Sequence, residues 1–439
     1  MKGELGMAET TTTVFVDRFT HGLIGPDTGF FATVSSGSRI RAITPPGCWG
    51  PMITPDFRGG HEVTQPVYVE GAEVGDVLAL HIEEVKVLSR AASTGTMRLN
   101  ERAFEGDAFV AKKCPGCGRP WPKTELAGIG ENAIRCKECG AEASPFHFQQ
   151  GYTVVFDPAG RVAVAVDQDQ ASLFAKQATL YAALPDHSEQ YPVLVFAAHE
   201  LAGLLVRMRP CIGNIGTIPA KTIPDSHNAG DFGAFLIDAP HPYGLSPQEL
   251  DAVRTDAHLD CTDVRPGAVL LCPVKVPGGG VYMGDAHSIM GRGEVAVHSI
   301  DITADITVRV DLIKELNLPG PILLPRVQDL PPIAQPYTTE ERVAFQNLAE
   351  KHGLSVETES GPIQFIGTGG DLNAAVNNAV DRAHRVLGIS RDEVLNRATV
   401  TGEVQITRLP GTVQLSLMLP KTLLESRGLW SMVKEQYAL

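Results

Sequence analysis

Asp285 and His287 stand two residues apart in Gly284-Asp285-Ala286-His287-Ser288-Ile289-Met290-Gly291-Arg292-Gly293-Glu294-Val295. In an extended chain, residues i and i+2 point to one face, so these two side chains would aim at one place. A carboxylate and an imidazole so aimed suit two ligands of a single metal ion. Glycines at 284, 291 and 293 permit a turn that brings Glu294 back to the same point. The competing reading of this spacing is a polar hairpin whose charges are merely solvated. Apolar residues from Val269 to Pro277, then Val281-Tyr282-Met283, lead into the stretch, and Ala296 to Asp301 alternates behind it. Both flanks read as strands.

A second signal is sharper in its spacing. Cys114-Pro115-Gly116-Cys117 and Cys136-Lys137-Glu138-Cys139 form two C-x-x-C pairs separated by 18 residues. Four thiolates at this spacing make a closed tetrahedral zinc site, with oxidation of the pairs as the alternative. A closed site leaves no position for substrate, so its work is to fold a small ribbon. Lys112, Lys113, Arg119, Lys123, Arg135 and Lys137 make the ribbon basic, but Trp121 alone offers a stacking surface. A structural or contact-making insertion is expected. A third cluster, Pro224-Asp225-Ser226-His227-Asn228-Ala229-Gly230-Asp231, crowds further polar groups among small residues, either as ligands or as turn-forming side chains.

The chain that must position these groups has 439 residues, 43% hydrophobic and 20% charged, which describes a globular protein of more than one packed unit. Its 44 glycines and 31 prolines favour many short strands. A net charge of −14 argues against nucleic acid and anionic membranes as partners. The first residues lack an apolar signal-peptide core, and the apolar run Pro192 to Leu205 is too short to span a bilayer. Cys48, Cys211, Cys261 and Cys272 are scattered, which is not a disulfide framework, so a reducing cytoplasm is the expected location.

In chain order, Phe30 to Val34, Arg39 to Ile43 and Val77 to Leu88 read as strands. In the last of these Leu78, Leu80 and Ile82 face one way and Ala79, His81 and Glu83 the other, a half-buried strand with a solvated His81. Tyr152 to Phe156 and Val162 to Val166 read as a hairpin. After proline-rich punctuation at 319–336 the pattern changes: Thr338 to Glu341 is a capping box, Asp371 and Ser390 cap two further helices, and two strands follow. No catalytic constellation is visible there. The expected architecture is mainly β and sandwich-like, with residues 1–105 and 145–320 as the catalytic core. The ribbon inserts at 106–144, and 321–439 forms an α/β C-terminal part.

The segment from Val269 to Ile300 resembles the signature of the acetamidase/formamidase family, PV…G-A…G-D-x-H…G-D-G-E-V. His61-Glu62-Val63-Thr64-Gln65-Pro66 with Gly71-Ala72-Glu73 and Gly75-Asp76 is similar to its H-P-x-T-G-P…G-A-x-P-G-D. Pro210 to Gly213, Gly216 and Pro219-Ala220 are similar to its P-x-x-G-x-x-G-x-A-P, and the His227 cluster sits where it carries H-G-G-N-x-D. Four departures stand out: Arg292 for an aspartate, Glu62 for a proline, Gln65 for a glycine, and the inserted ribbon.

The resemblance implies hydrolysis of a small amide to a carboxylic acid and ammonia by a homo-oligomer. It implies a catalytic divalent metal, expected to be zinc, with Asp285 and His287 as ligands and His61, His227 and Asp231 as the pool for the rest. Glu294 becomes the general base and later acid. Arg292 becomes a group to steady an oxyanion or a substrate carboxylate. Two other readings stay open: an amidase with Cys261 or Cys211 as nucleophile, and a non-enzymatic ribbon that binds proteins or nucleic acid.

Overall fold

The structure is a computed structural model that describes residues 12–47, 54–106, 112–192, 201–227, 236–239 and 241–439. Asp231, Cys48 and most of the apolar run after Pro192 lie outside the described residues.

The fold is mainly β. A nine-stranded sheet runs in the order Thr13–Val16, Arg39–Thr44, Ala304–Ile313, Val77–Val87, Val269–Pro273, Ile322–Leu324, Ser360–Thr368, Thr412–Pro420, Gly402–Arg408. Its first pair is parallel and the others are antiparallel. One face carries Ile40, Leu80, Leu270, Val308 and their neighbours, packed against the sheets that hold Ile212, Met283 and Val154. The opposite face carries Leu271, Phe365 and Leu415, covered by apolar positions of the helices Leu372–Leu387 and Trp430–Tyr437.

The strand Val77–Val87 shows how tertiary context overrides local pattern. Leu78, Leu80 and Ile82 enter the first core as their alternation predicts. Ala79, expected on the face of His81 and Glu83, is buried with Val77 in the second core, because the C-terminal layer covers that end of the sheet. His81 lies farther along and pairs with Asp311 at 2.9 Å, partly exposed.

The hairpin forms as expected, with Phe146–Phe156 antiparallel to Val162–Val166. Thr338 and Glu341 make a reciprocal capping box on the helix Thr339–Lys351, and Asp371 and Ser390 cap Leu372–Leu387 and Arg391–Val400. One expected strand is corrected. Between Ser288 and Ile300 the chain is a loop, held by bonds from Glu294 N to Gly291 O (3.1 Å) and from Val297 N to Glu294 O (2.8 Å). Pairing resumes only at Asp301–Ile302. The turn glycines, not the alternation, decide the local conformation there.

In the ribbon, Thr124–Leu126 pairs with Ile134–Cys136, and the four cysteines gather at one end. The Sγ atoms of Cys114 and Cys139 are 3.6 Å apart, and those of Cys117 and Cys136 are 4.0 Å apart. Disulfide sulfurs would be separated by about 2 Å. A tetrahedron with metal–sulfur bonds of about 2.3 Å has edges of about 3.8 Å, so the four thiols match a metal site. Among the described residues, no helix is long and apolar enough to cross a membrane.

Candidate active site

The strand Val281–His287 is buried at all seven positions and runs antiparallel to Cys211–Thr217, with His287 opposite Cys211 and Gly284 opposite Asn214. Asp285 interrupts the pleat with a φ of +52°, a left-handed conformation that residues with a Cβ rarely take. Asp260 (φ +40°) and Glu294 (φ +41°) are held the same way. Such conformations cost on the order of 1–3 kcal/mol each and persist only where the surroundings impose them.

Two glycines supply the room. A Cβ on Gly213 would lie 2.2 Å from Asp260 Oδ1 and 2.5 Å from Asp285 Oδ2, and one on Gly47 would lie 1.6 Å from Asp285 Oδ1. Gly213→Ala should therefore push a carboxylate out of place and lower turnover about a hundredfold, as ångström-scale misplacement does. Steady-state ammonia release beside a thermal melt checks this. Unchanged turnover in a folded variant would show that the cradle does not matter.

Three imidazoles meet the carboxylates. Asp285 Oδ2 lies 3.6 Å from His258 Nε2 and 3.9 Å from His61 Nε2, while Oδ1 lies 3.3 Å from His287 Nε2. His287 Nε2 also faces Asp301 Oδ1 at 3.2 Å and Asp260 Oδ1 at 3.8 Å. Asp301 reaches this point because it is the ladder partner of His287. Behind His61, Asp225 accepts the His61 backbone N–H at 2.6 Å and stands 3.4 Å from Nδ1, which turns Nε2 toward Asp285. His258 is oriented likewise, its Nδ1 lying 2.9 Å from Ser226 O.

Arg408, from the C-terminal strand Gly402–Arg408, contacts Asp260 Oδ2 at 2.5 Å and stands 3.4 Å from Glu294 Oε2. Gly293 bridges Arg408 in parallel, and that pairing carries Glu294 into the site.

Asp260, Asp285, Glu294, Asp301 and Asp225 are all buried. Burial opposes the charge on Asp260, yet Arg408 and His258 outweigh it and bring the carboxyl down to about 2. Burial likewise opposes charge on Asp285, but His61 and His287 hold it well below the usual carboxylate range. Burial and Arg408 disfavour a charged His258, while Asp260 and Asp285 raise it to about 9. Glu294 goes the other way: burial, then the Asp260 charge, push it well up.

Asp260 Oδ1, Asp285 Oδ1, His287 Nε2 and Glu294 Oε2 are buried without a hydrogen-bond partner. Unsatisfied buried groups of this kind are costly. Around these atoms, three overlapping groups have ligand atoms within 4.8 Å of one another: His61, His258 and Asp285; Asp260, His287 and Glu294; Asp285, His287 and Asp301. Nitrogen and oxygen donors in this mixture fit a divalent cation.

Asp285, His287, Glu294 and His61, singled out from the sequence, thus come together. The backbone of His227 closes the short helix Asp225–His227 beside them, and its side chain lies outside the described atoms. Arg292 is drawn elsewhere: its Nη2 bonds the buried Asp263 at 2.7 and 2.9 Å. The guanidinium at the site belongs to Arg408, in a region where the sequence suggested no catalytic group. His258, Asp260 and Asp301 also join the site without having been singled out, although His258 and Asp260 lie just before Cys261 in the chain. Cys261 is fully buried, and burial pushes its thiol well up.

The family model described as Acetamidase/Formamidase matches residues 43–425. A structure described as a predicted acetamidase/formamidase from Thermoanaerobacter tengcongensis is similar at 17% identity, covering 95% of this chain and 98% of that one with a TM-score of 0.53. An acetamidase from Yersinia enterocolitica is similar at 16% identity, over 96% of this chain and 95% of its own, with a TM-score of 0.51. An acetamidase from Bacillus halodurans is similar at 18%, over 95% and 99%, also with a TM-score of 0.51. No curated protein matches. With the family model spanning most of the sequence, the chain belongs to the acetamidase/formamidase family and is a hydrolase of amide C–N bonds.

Proposed function

We propose that the chain hydrolyses a small amide to a carboxylic acid and ammonia, with a divalent metal held among His61, His258, Asp285 and His287. The observation that carries this reading is the set of buried donor atoms left without hydrogen bonds around Asp285. Asp260 and Asp301 complete the donor set, and zinc is the expected ion at both this site and the ribbon. When bound, such an ion polarises an amide carbonyl and brings the pKa of water from about 15.7 to about 7.

The residues supply the rest. Glu294 takes a proton at Oε2 from the attacking water and later returns it to the amide nitrogen, so that ammonia leaves neutral. Burial and the Asp260 charge raise its affinity for that proton, and a cation bound beside it would favour the ionised form that receives it. Arg408 fixes Asp260 and limits the repulsion between Asp260 and Glu294. Asp225 and Ser226 keep His61 and His258 turned inward. Arg292, held by Asp263, has no part in this scheme.

The two cores on either face of the nine-stranded sheet support a sandwich-like body with an α/β C-terminal part. Val343 (50% exposed), Phe345 (41%) and Leu348 (59%) on one helix support self-association.

The cysteine reading keeps one residue, Cys211, which lies opposite His287. Cys261 is a poor nucleophile with its thiol pushed up. Metal analysis of wild type beside Cys114→Ser tests the proposal. The variant should lose the ribbon's metal and retain more, and chelating that remainder should stop ammonia release. Activity that survives chelation but not thiol alkylation would overturn the metal reading in favour of Cys211.

A further inference from the structure

Glu62 and the four-cysteine ribbon are remote in sequence, yet the segment Ser188–Tyr191 touches both. On the site's side, Glu62 is 1% exposed and adjoins His61. Its Oε2 accepts from Ser188 Oγ and its Oε1 from Glu189 N, each at 2.7 Å. Hydrogen bonds to a buried carboxylate are strong and directional, so they fix the segment against the His61 loop. The next residue, Gln190, donates from Nε2 to Pro46 O at 2.6 Å. Pro46 precedes Gly47, the glycine pressed against the Asp285 carboxylate.

On the ribbon's side, Tyr191 Oη donates to Thr124 O at 2.8 Å and lies 2.8 Å from Thr124 Oγ1. Thr124 is the cross-strand partner of Cys136. The Tyr191 ring also packs on the ribbon's small core of Cys114, Ile134, Cys136, Ala143 and Phe146. A core of this size cannot hold itself rigid, so a metal among the four thiolates would supply the stiffness. Lys123 adds an exposed tie to Asp56, 2.8 Å away in the loop leading to His61.

We propose that Ser188–Tyr191 is a latch through which the metal-filled ribbon sets the positions of His61 and Asp285, with Glu62 as its positioning residue. Its catalytic consequence rests on the metal-amidase reading above; its mechanical consequence does not. The ribbon would then act on the reacting groups chiefly through Cys136, Thr124, Tyr191, then Glu62 and Pro46, because the exposed Lys123–Asp56 pair contributes little. The two ends of the segment act as one unit.

The test uses the full chain as wild type, Tyr191→Phe, Glu62→Ala, Glu62→Gln and the double variant Tyr191→Phe/Glu62→Ala. Hydrogen exchange of peptides covering residues 44–47 and 54–64 is read beside kcat, KM and metal content. Tyr191→Phe and Glu62→Ala should each loosen those peptides and leave the nine-stranded sheet protected. Each should lower kcat about tenfold with KM within about twofold, the size typical of groups behind metal ligands. Glu62→Gln should restore both readouts, because its amide can accept from Glu189 N–H and donate to Ser188 Oγ. The double variant should be no worse than the worse single one, as expected of residues in one linkage. Removing thiolate metal from wild type with p-hydroxymercuribenzoate should loosen the same peptides and add nothing in Tyr191→Phe.

Additive losses, or unchanged exchange at 44–47 and 54–64 in both single variants, would overturn the latch. Should wild type release no ammonia from any amide, the functional reading fails, and the exchange pattern still decides the latch.

Discussion

If the proposed metal site holds, Asp285→Asn should reduce ammonia release more than about a hundredfold and abolish whatever metal is bound outside the four thiolates, leaving their share unchanged. Asp285 joins the two sides of the site, with one carboxylate oxygen toward His61 and His258 and the other toward His287. Asparagine keeps the shape, so no cavity opens, but it puts an N–H donor where a cation and two imidazoles need an acceptor. Groups behind the ligands are worth about 10–100-fold, and a group placed among the ligands should exceed them. In chelated protein the substitution should also destabilise, toward the 3–5 kcal/mol typical of breaking a buried ion pair. The pH sign is fixed by the depressed pKa. A carboxylate held below its unfolded value stabilises the fold above about pH 3.9 and loses that contribution as the pH falls through the folded value. The stability gap between the two proteins should therefore narrow in acid. Activity within tenfold of wild type, with the second metal retained, would remove Asp285 from the ligand set.

What the sequence made legible and what it hid divide along a physical line. The i, i+2 pair Asp285 and His287 was readable because strand periodicity is local, and the four cysteines because their spacing is diagnostic. Even so, Asp285 meets His287 by another route than a regular strand, since its φ of +52° departs from the pleat that sharing a face requires. His258, Asp260, Asp301 and Arg408 were invisible because each arrives by a long-range contact. Asp301 comes by pairing with His287, and Arg408 by the bridge to Gly293 from the far end of the chain. Arg292 shows the converse error. Its standing where the family carries an aspartate suggested a place in the pocket, yet the chain turns before Glu294 at Gly293 (φ +96°) and Arg292 is claimed by Asp263. Glycine was the better guide throughout. Gly213 and Gly47 lie where a side chain would strike the site carboxylates, a constraint set by contacts that are distant in the chain.

Glu294→Gln tests the chemistry with the least disturbance to the fold. Glutamine fills the same volume but cannot take a proton from water, so kcat should fall about 10²–10⁴-fold, the range for a lost acid–base group. KM should change little, because the group acts on the transition state and not on ground-state binding. Stability should move in the opposite sense. Glu294 is pushed up by burial and by the neighbouring Asp260 charge, with Arg408 only partly offsetting them. A raised folded pKa means that the proton-bound form is the favoured one, so its stabilisation is complete below the unfolded value near pH 4.3 and is lost as pH rises through the folded value. In chelated protein at neutral pH the variant carries no charge to bury at that position, and it should melt at or above the wild-type temperature. An inactive protein that is at least as stable separates a catalytic role from a structural one, since a structural carboxylate held by Arg408 would cost stability on removal. Full ammonia release by Glu294→Gln would sink the base assignment, and a lower melting temperature with a matching loss of activity would recast Glu294 as the anchor of Arg408.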